Sequence, residues 1–71
     1  MALTLEERKS IKSMLPYGSQ AEIAQKLGVS RISVYQYLAG YRNSNRIEKA
    51  VVDRFEEEKN KQKALREKIY G

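Results

Sequence analysis

The sequence predicts an all-α fold, a small domain of four helices with a long last one. Two observations carry this expectation. Helix-start signatures precede four apolar patterns of helical spacing, and nowhere do apolar and polar residues alternate as a half-buried strand requires. At 71 residues there is room for one domain and one modest core. A chain of that size buries only about 60% of its unfolded surface, so its margin of stability is slim. It has no cysteine for a disulfide and no histidine for a metal or a proton shuttle. Such a domain relies on well-capped helices, an oligomer or a bound partner.

The first helix is expected over residues 5–15. Thr4 and Glu7 have capping-box spacing, in which a hydroxyl serves an orphan amide and the carboxylate reaches back. Leu5, Ile11, Met14 and Leu15 supply apolar positions, and Pro16-Tyr17-Gly18 ends the helix. Ser19 and Glu22 repeat the box and open a second helix over 20–27, with Ile23, Ala24 and Leu27 on one face. Gly28 ends it, since glycine enters the left-handed conformation without steric cost. Ser30 caps a third helix over 31–39; Val34 and Leu38 are its inward positions and Gly40 closes it. A polar loop follows at 42–45, and Asn45 with Glu48 forms a last box for a helix over 46–68. The expected buried centre is Ile23, Ala24, Leu27, Val29, Val34, Leu38, Ile47, Val51 and Phe55.

Charge narrows the class of partner. Fourteen Lys and Arg against nine Asp and Glu give +5, which suits a polyanion. Residues 1–30 carry four basic and three acidic side chains, and residues 47–71 carry seven and six. The stretch 31–46 holds Arg31, Arg42 and Arg46 and no acid. The excess is densest in the middle of the chain.

That middle also carries the most specific pattern. Two helices meeting steeply across a tight turn need a small residue where they cross, here Ala24. The turn needs a positive backbone angle, from Gly28, then an apolar plug, from Val29; the second helix turns Val34 and Leu38 back. Together these residues have the spacing of a DNA-binding helix-turn-helix, against the plainer alternative of a helical hairpin that only packs. Residues 1–56 would form that DNA-binding domain, with 57–71 a charged helical extension. Residues 19–46, SQAEIAQKLGVSRISVYQYLAGYRNSNR, resemble the helix-turn-helix of the lactose-repressor and phage Cro/repressor families. The resemblance implies that the second helix of the pair lies in the major groove and that dimers bind two-fold-symmetric operators. Two departures stand out. The large ligand-binding domain of lactose-repressor-type proteins is absent from this chain, so no small-molecule effector is expected. Tyr37 is bulkier than the small aliphatic residue usual just before the helix end.

Helical geometry names the candidate contacts. With Val34 and Leu38 turned inward, Ser30, Arg31, Ser33, Tyr35 and Gln36 fall on or near the outer face. The N-terminal half of a recognition helix reaches base edges most readily. Arg31 suits a bidentate contact to guanine and Gln36 one to adenine; Ile32 either packs beneath the helix or touches a thymine methyl. The resemblance implies base reading at the same three positions, Arg31, Ile32 and Gln36. Ser30, Ser33 and Tyr35 suit phosphates, as does Gln20 at the start of the preceding helix, where free amides attract anions. In the loop at 41–46, Arg42, Asn43 and Arg46 are phosphate donors with no acid beside them, or else Asn and Ser there only cap the next helix. Tyr35, Tyr37 and Tyr41 fit partly buried or phosphate-donating roles better than stacking on single-stranded bases.

The last helix divides in three. Ile47, Ala50, Val51 and Phe55 form one stripe that closes the core, and 56–63 is a charged run held by pairs such as Glu57 with Lys61. Val51, Phe55, Glu58, Gln62, Leu65 and Ile69 then recur at heptad spacing. A coiled-coil homodimer, a helix fraying into solvent, and return packing onto the first helix all fit that stripe. The functional expectation is a sequence-specific double-stranded-DNA-binding regulator; the alternative is a DNA-binding assembly or recombination accessory protein, small-terminase-like. No enzyme, cofactor or metal is expected, given the absence of histidine, cysteine and a paired-acid pocket. No apolar run approaches the ~20 residues of a membrane span, and no signal-peptide stretch is visible, so a cytoplasmic, nucleoid-associated location is expected.

Overall fold

Four helices follow one another in the computed structural model, which describes residues 3–70. They are α1 (Leu5–Met14), α2 (Ser19–Leu27), α3 (Arg31–Ala39) and α4 (Asn45–Tyr70). No strand occurs among the described residues, so the fold is all-α. No helix there is long and apolar enough to cross a membrane.

Local chemistry accounts for most of the boundaries. At α1 the full capping box forms: Thr4 Oγ1 accepts from the Glu7 amide at 3.1 Å, and Glu7 Oε1 accepts from the Thr4 amide at 2.9 Å. The two middle helices end alike. Gly28 (φ +70°) and Gly40 (φ +90°) take the left-handed angle, and the next amides, Val29 and Tyr41, donate back to Ala24 and Gln36 at 3.0 and 2.9 Å. That pattern satisfies carbonyls a helix end otherwise leaves open.

Two cap expectations are corrected. Ser19 does not cap α2; Gly18 takes that place with no side-chain cap, and Ser19 is the first helical residue. The turn through Pro16 carries Ser19 inward, where it is buried and its Oγ donates to the Pro16 carbonyl at 2.7 Å. Nor does Asn45 form a box with Glu48. Ser44 sits one residue earlier and accepts from the Ile47 amide at 3.3 Å, while Glu48 is drawn to long-range partners.

Ile11, Ile23, Ala24, Val34, Tyr37, Leu38, Ile47 and Val51 form the core. Val34, Leu38 and Val51 expose no surface, and burial of each contributes about 1.5–3 kcal/mol. Leu27, Val29 and Phe55, expected at the centre, are half-buried at its margin. Leu5 and Met14 point largely to solvent, because Arg8 and Ile11 take the inward positions of α1.

The far half of α4 leaves the body altogether. Packing ends at Glu58, and every residue over 59–70 is exposed. The helix neither frays nor returns to α1. Arg54 and Glu58 (3.3 Å) form the within-helix ion pair in place of Glu57 and Lys61, and Arg54 also reaches Glu22 at 3.1 Å.

Candidate nucleic-acid interface

The outward side of α3 is built on the Ser30 cap. Its hydroxyl accepts from the Ser33 amide at 3.2 Å and lies 3.0 Å from the Ser33 hydroxyl. Arg42, expected beyond the end of the helix, reaches back so that Nη1 donates to Ser33 Oγ at 3.0 Å. Arg31, Ile32 and Tyr35 are exposed, and Gln36 is half-buried. Ile32 does not pack beneath the helix; it is 65% exposed. A large aliphatic group left that open between polar neighbours is free to meet another apolar group.

Two elements extend this surface. α1 packs on α3 and sets Lys12 Nζ 4.7 Å from the centre of the Tyr35 ring. Beyond it, the start of α2 and Arg31 border a groove of about 420 Å³, lined by Lys12, Tyr17, Gln20 and Ala21 among others. No side chain caps α2, and with the Ser19 amide bonded to the Pro16 carbonyl at 3.2 Å it is the amides of Gln20 and Ala21 that stay open toward an anion. No acid lines this groove. The two other main grooves carry three acids each: Glu22, Asp53 and Glu57 between α2 and α4, and Glu6, Glu7 and Glu56 between α1 and α4. Cations offset the acids in the first of these, which Lys26, Arg46, Lys49 and Arg54 also line, so of the three only the α1–α4 groove is acidic on balance; among the described residues, acids are absent from the groove where α2 begins beside Arg31.

Of the expected contact residues, Gln20, Ser30, Arg31, Ile32, Ser33, Tyr35, Gln36 and Arg42 belong to the α2–α3 surface. Asn43 is exposed but tied at one atom, its Oδ1 accepting from Arg8 Nη2 at 2.7 Å. Arg46 has a different partner: Nη2 donates to the Leu27 carbonyl at 2.9 Å, beside the α2–α4 groove. It neutralises the carbonyl end of α2. Lys12 is an addition that no local signal marks, since only the packing of α1 on α3 brings it there.

Behind the surface lies a polar network that holds α3. Arg8 is 6% exposed, and its guanidinium stacks 4.3 Å from the Tyr37 ring centre. It donates to the carbonyls of Leu3 (3.3 Å), Tyr37 (3.1 Å) and Arg42 (3.2 Å) as well as to Asn43. The fork thus serves both the C-terminal carbonyls of α3 and the loop that follows. Tyr37, buried, donates its hydroxyl to Glu48 Oε1 at 2.8 Å, and the Leu3 amide donates to the same oxygen at 2.7 Å. Burial, then the bond to Glu48, pushes the Tyr37 phenol up to about 12. The Leu3 amide, then the Tyr37 hydroxyl, holds the Glu48 carboxyl below its usual range. Tyr37 is where the sequence departs from the small aliphatic residue of the resembled families, and its bulk is accommodated by these two partners.

No protein-family model, curated protein or solved structure matches this chain.

Proposed function

We propose that this chain is a sequence-specific double-stranded-DNA-binding protein of the helix-turn-helix type, acting as a transcriptional regulator that occupies an operator. In this reading α2 and α3 are the pair, and α3 enters the major groove. The observation that carries it is the charge of the surface: the groove bordered by α2 and Arg31 holds Lys12 and Arg31 and no acid, while the α2–α4 groove mixes three acids with four cations and the α1–α4 groove sets three acids against one lysine. A duplex repels acids and gathers cations along its phosphates.

Roles follow from position. Arg31 and Gln36 read base edges, and the exposed Ile32 meets a thymine methyl. The open amides at Gln20, together with Lys12, Ser30, Ser33, Tyr35 and Arg42, hold phosphates on either side. Asn43 keeps its Nδ2 for the same task, since Arg8 occupies only Oδ1. Arg46 would have to release the Leu27 carbonyl to take part.

The test begins with selection of bound duplexes from a random pool, then titration on the selected and a scrambled duplex across a salt series. Arg31→Ala should cost about 1–3 kcal/mol on the selected site and relax preference at one or two base pairs. Lys12→Ala should weaken both duplexes alike and lower the salt slope by about one. Failure of the pool to enrich any sequence, with binding still salt-dependent, would replace the regulator by the assembly-protein alternative. Absence of salt-dependent binding would end the DNA reading itself.

A further inference from the structure

The outer half of α4 is a helix without a partner. Leu65 and Ile69, one turn apart, are 58% and 63% exposed. So short a helical stretch is marginal alone in water and gains from a surface that covers its apolar side. On the helix, Lys61, Arg66 and Lys68 flank the side bearing Leu65 and Ile69. Two such arms wound together would set cation against cation at the flanking positions, in either orientation, and like charges there oppose pairing. The plain coiled coil is therefore disfavoured by the chain's own charges.

Another surface of the same chain has the complementary chemistry. Between α1 and α4 runs a groove of about 550 Å³ with Leu3, Ile11, Val52 and Phe55 at its base and Glu6, Glu7 and Glu56 among its lining residues. Among the described residues, Lys59 is the only cation lining it. It is separate from the groove between α2 and Arg31: α1 gives Glu6, Glu7, Ser10 and Ile11 to one and Lys12 to the other.

We infer that the arm formed by residues 60–70 of one copy lies in the α1–α4 groove of a second copy, and the reverse, in a closed two-fold dimer. Lys61, Lys63, Arg66 and Lys68 against the single Glu67 meet a rim of three acids and one lysine. The arm is about 16 Å long at 1.5 Å per residue. Symmetry sets its direction. If Leu65 of one copy rests on Phe55 of the other, two-fold closure requires the converse contact as well, and only antiparallel α4 helices allow both. Ile69, one turn further along, then falls beside Val52. A parallel arrangement would leave one groove unfilled and propagate into an open chain. The inference stands independently of the DNA reading, because neither α3 nor the start of α2 takes part.

Sedimentation equilibrium on the full chain, without DNA, tests it through charge reversal in two variants. Glu6→Lys with Glu56→Lys reverses the groove; neither side chain makes a hydrogen bond among the described residues. Arg66→Glu with Lys68→Glu reverses the arm. Wild type should be dimeric, each variant alone monomeric, and their equimolar mixture dimeric, because each variant's arm then matches the other's groove. Leu65→Ala keeps charge and helix propensity and should weaken dimerisation by at least about tenfold, since burial of each Leu is lost twice per dimer. A groove variant that remains a dimer would show arms pairing with arms and overturn the assignment. So would a mixture that stays monomeric, an unchanged dimer for Leu65→Ala, or a wild-type chain that pairs only when DNA is present.

Discussion

Arg8→Ala is the substitution whose cost can be worked most fully from contacts. It removes a guanidinium that is 6% exposed and bonded at three nitrogens. Only the bond to the Tyr37 carbonyl is fully buried, so that acceptor is the one left without water, at about 1–3 kcal/mol. The acceptors on Leu3, Arg42 and Asn43 are part-buried and recover water, leaving a net loss of about 0.5 kcal/mol each. Losing the cation over the Tyr37 ring adds about 1 kcal/mol. The total is about 3.5–5.5 kcal/mol, against the roughly 4–10 kcal/mol that a domain this size possesses. Urea denaturation followed by far-ultraviolet circular dichroism measures it directly. With a slope near 1 kcal/mol per molar for a small protein, the midpoint should fall by about 3.5 M or the chain should be unfolded from the outset. Arg8→Lys should recover no more than about half, because an ammonium cannot span acceptors spread around a planar fork. A loss below about 1 kcal/mol for Arg8→Ala would mean that water replaces the guanidinium without penalty, and that Arg8 does not hold α3.

Three further outcomes are expected. Gly28→Ala should cost about 1 kcal/mol through its positive φ alone, since an added Cβ meets nothing within 4 Å; Gly40→Ala should cost more, its Cβ falling 2.6 Å from Leu5 Cδ1, and thermal melts of the two should rank them in that order. Tyr37→Phe should lose about 1.5 kcal/mol in chemical denaturation, near the low end for a bond to a charged group, because the Leu3 amide still serves Glu48. Stability should fall at both pH extremes. Glu48, held low in the fold, stabilises above the unfolded carboxyl value near ~4.3 and loses that contribution as acid protonates it in the native state. Tyr37, raised to about 12, leaves the unfolded chain to ionise first, so stability declines from the model-compound value of 10.0 up to about 12. Denaturation midpoints across pH check both limbs, and the alkaline decline should shrink in Tyr37→Phe.

Helix order, the Ser30 cap and the glycine ends of α2 and α3 are all legible from the residues in order. Each depends on bonds between residues three to five positions apart, such as Ser30 to Ser33 and Val29 to Ala24, and so survives without knowledge of the rest of the fold. Arg31 and Tyr35 on the outside of α3 are legible for the same reason: once Val34 and Leu38 are inward, 3.6 residues per turn place them there, whereas Ile32 fits either side and only its exposure in the fold decides it. Local chemistry gave way where a residue had a distant competitor. Ser19 and Asn45 carry cap chemistry, yet a turn at Pro16 and the pull of Leu3 and Tyr37 on Glu48 moved both caps by one residue.

Arg8 and Lys12 show the larger divide. Both are cations on one short helix, alike in any count of charge. Arg8 meets partners 29, 34 and 35 positions away and disappears into the fold, while Lys12 joins the acid-free face beside Tyr35. Arg42 and Arg46 divide in the same way, one toward Ser33 on α3 and the other toward the end of α2. By itself the sequence determined four helices, the glycine ends of α2 and α3 and the inward Val34 and Leu38, because those follow from periodicity and from hydrogen bonds within a turn. Which cations are buried, which face the acid-free groove, and why Tyr37 fits were decided only when α1, α3 and α4 packed together, since long side chains take their partners from whatever the tertiary fold brings within reach.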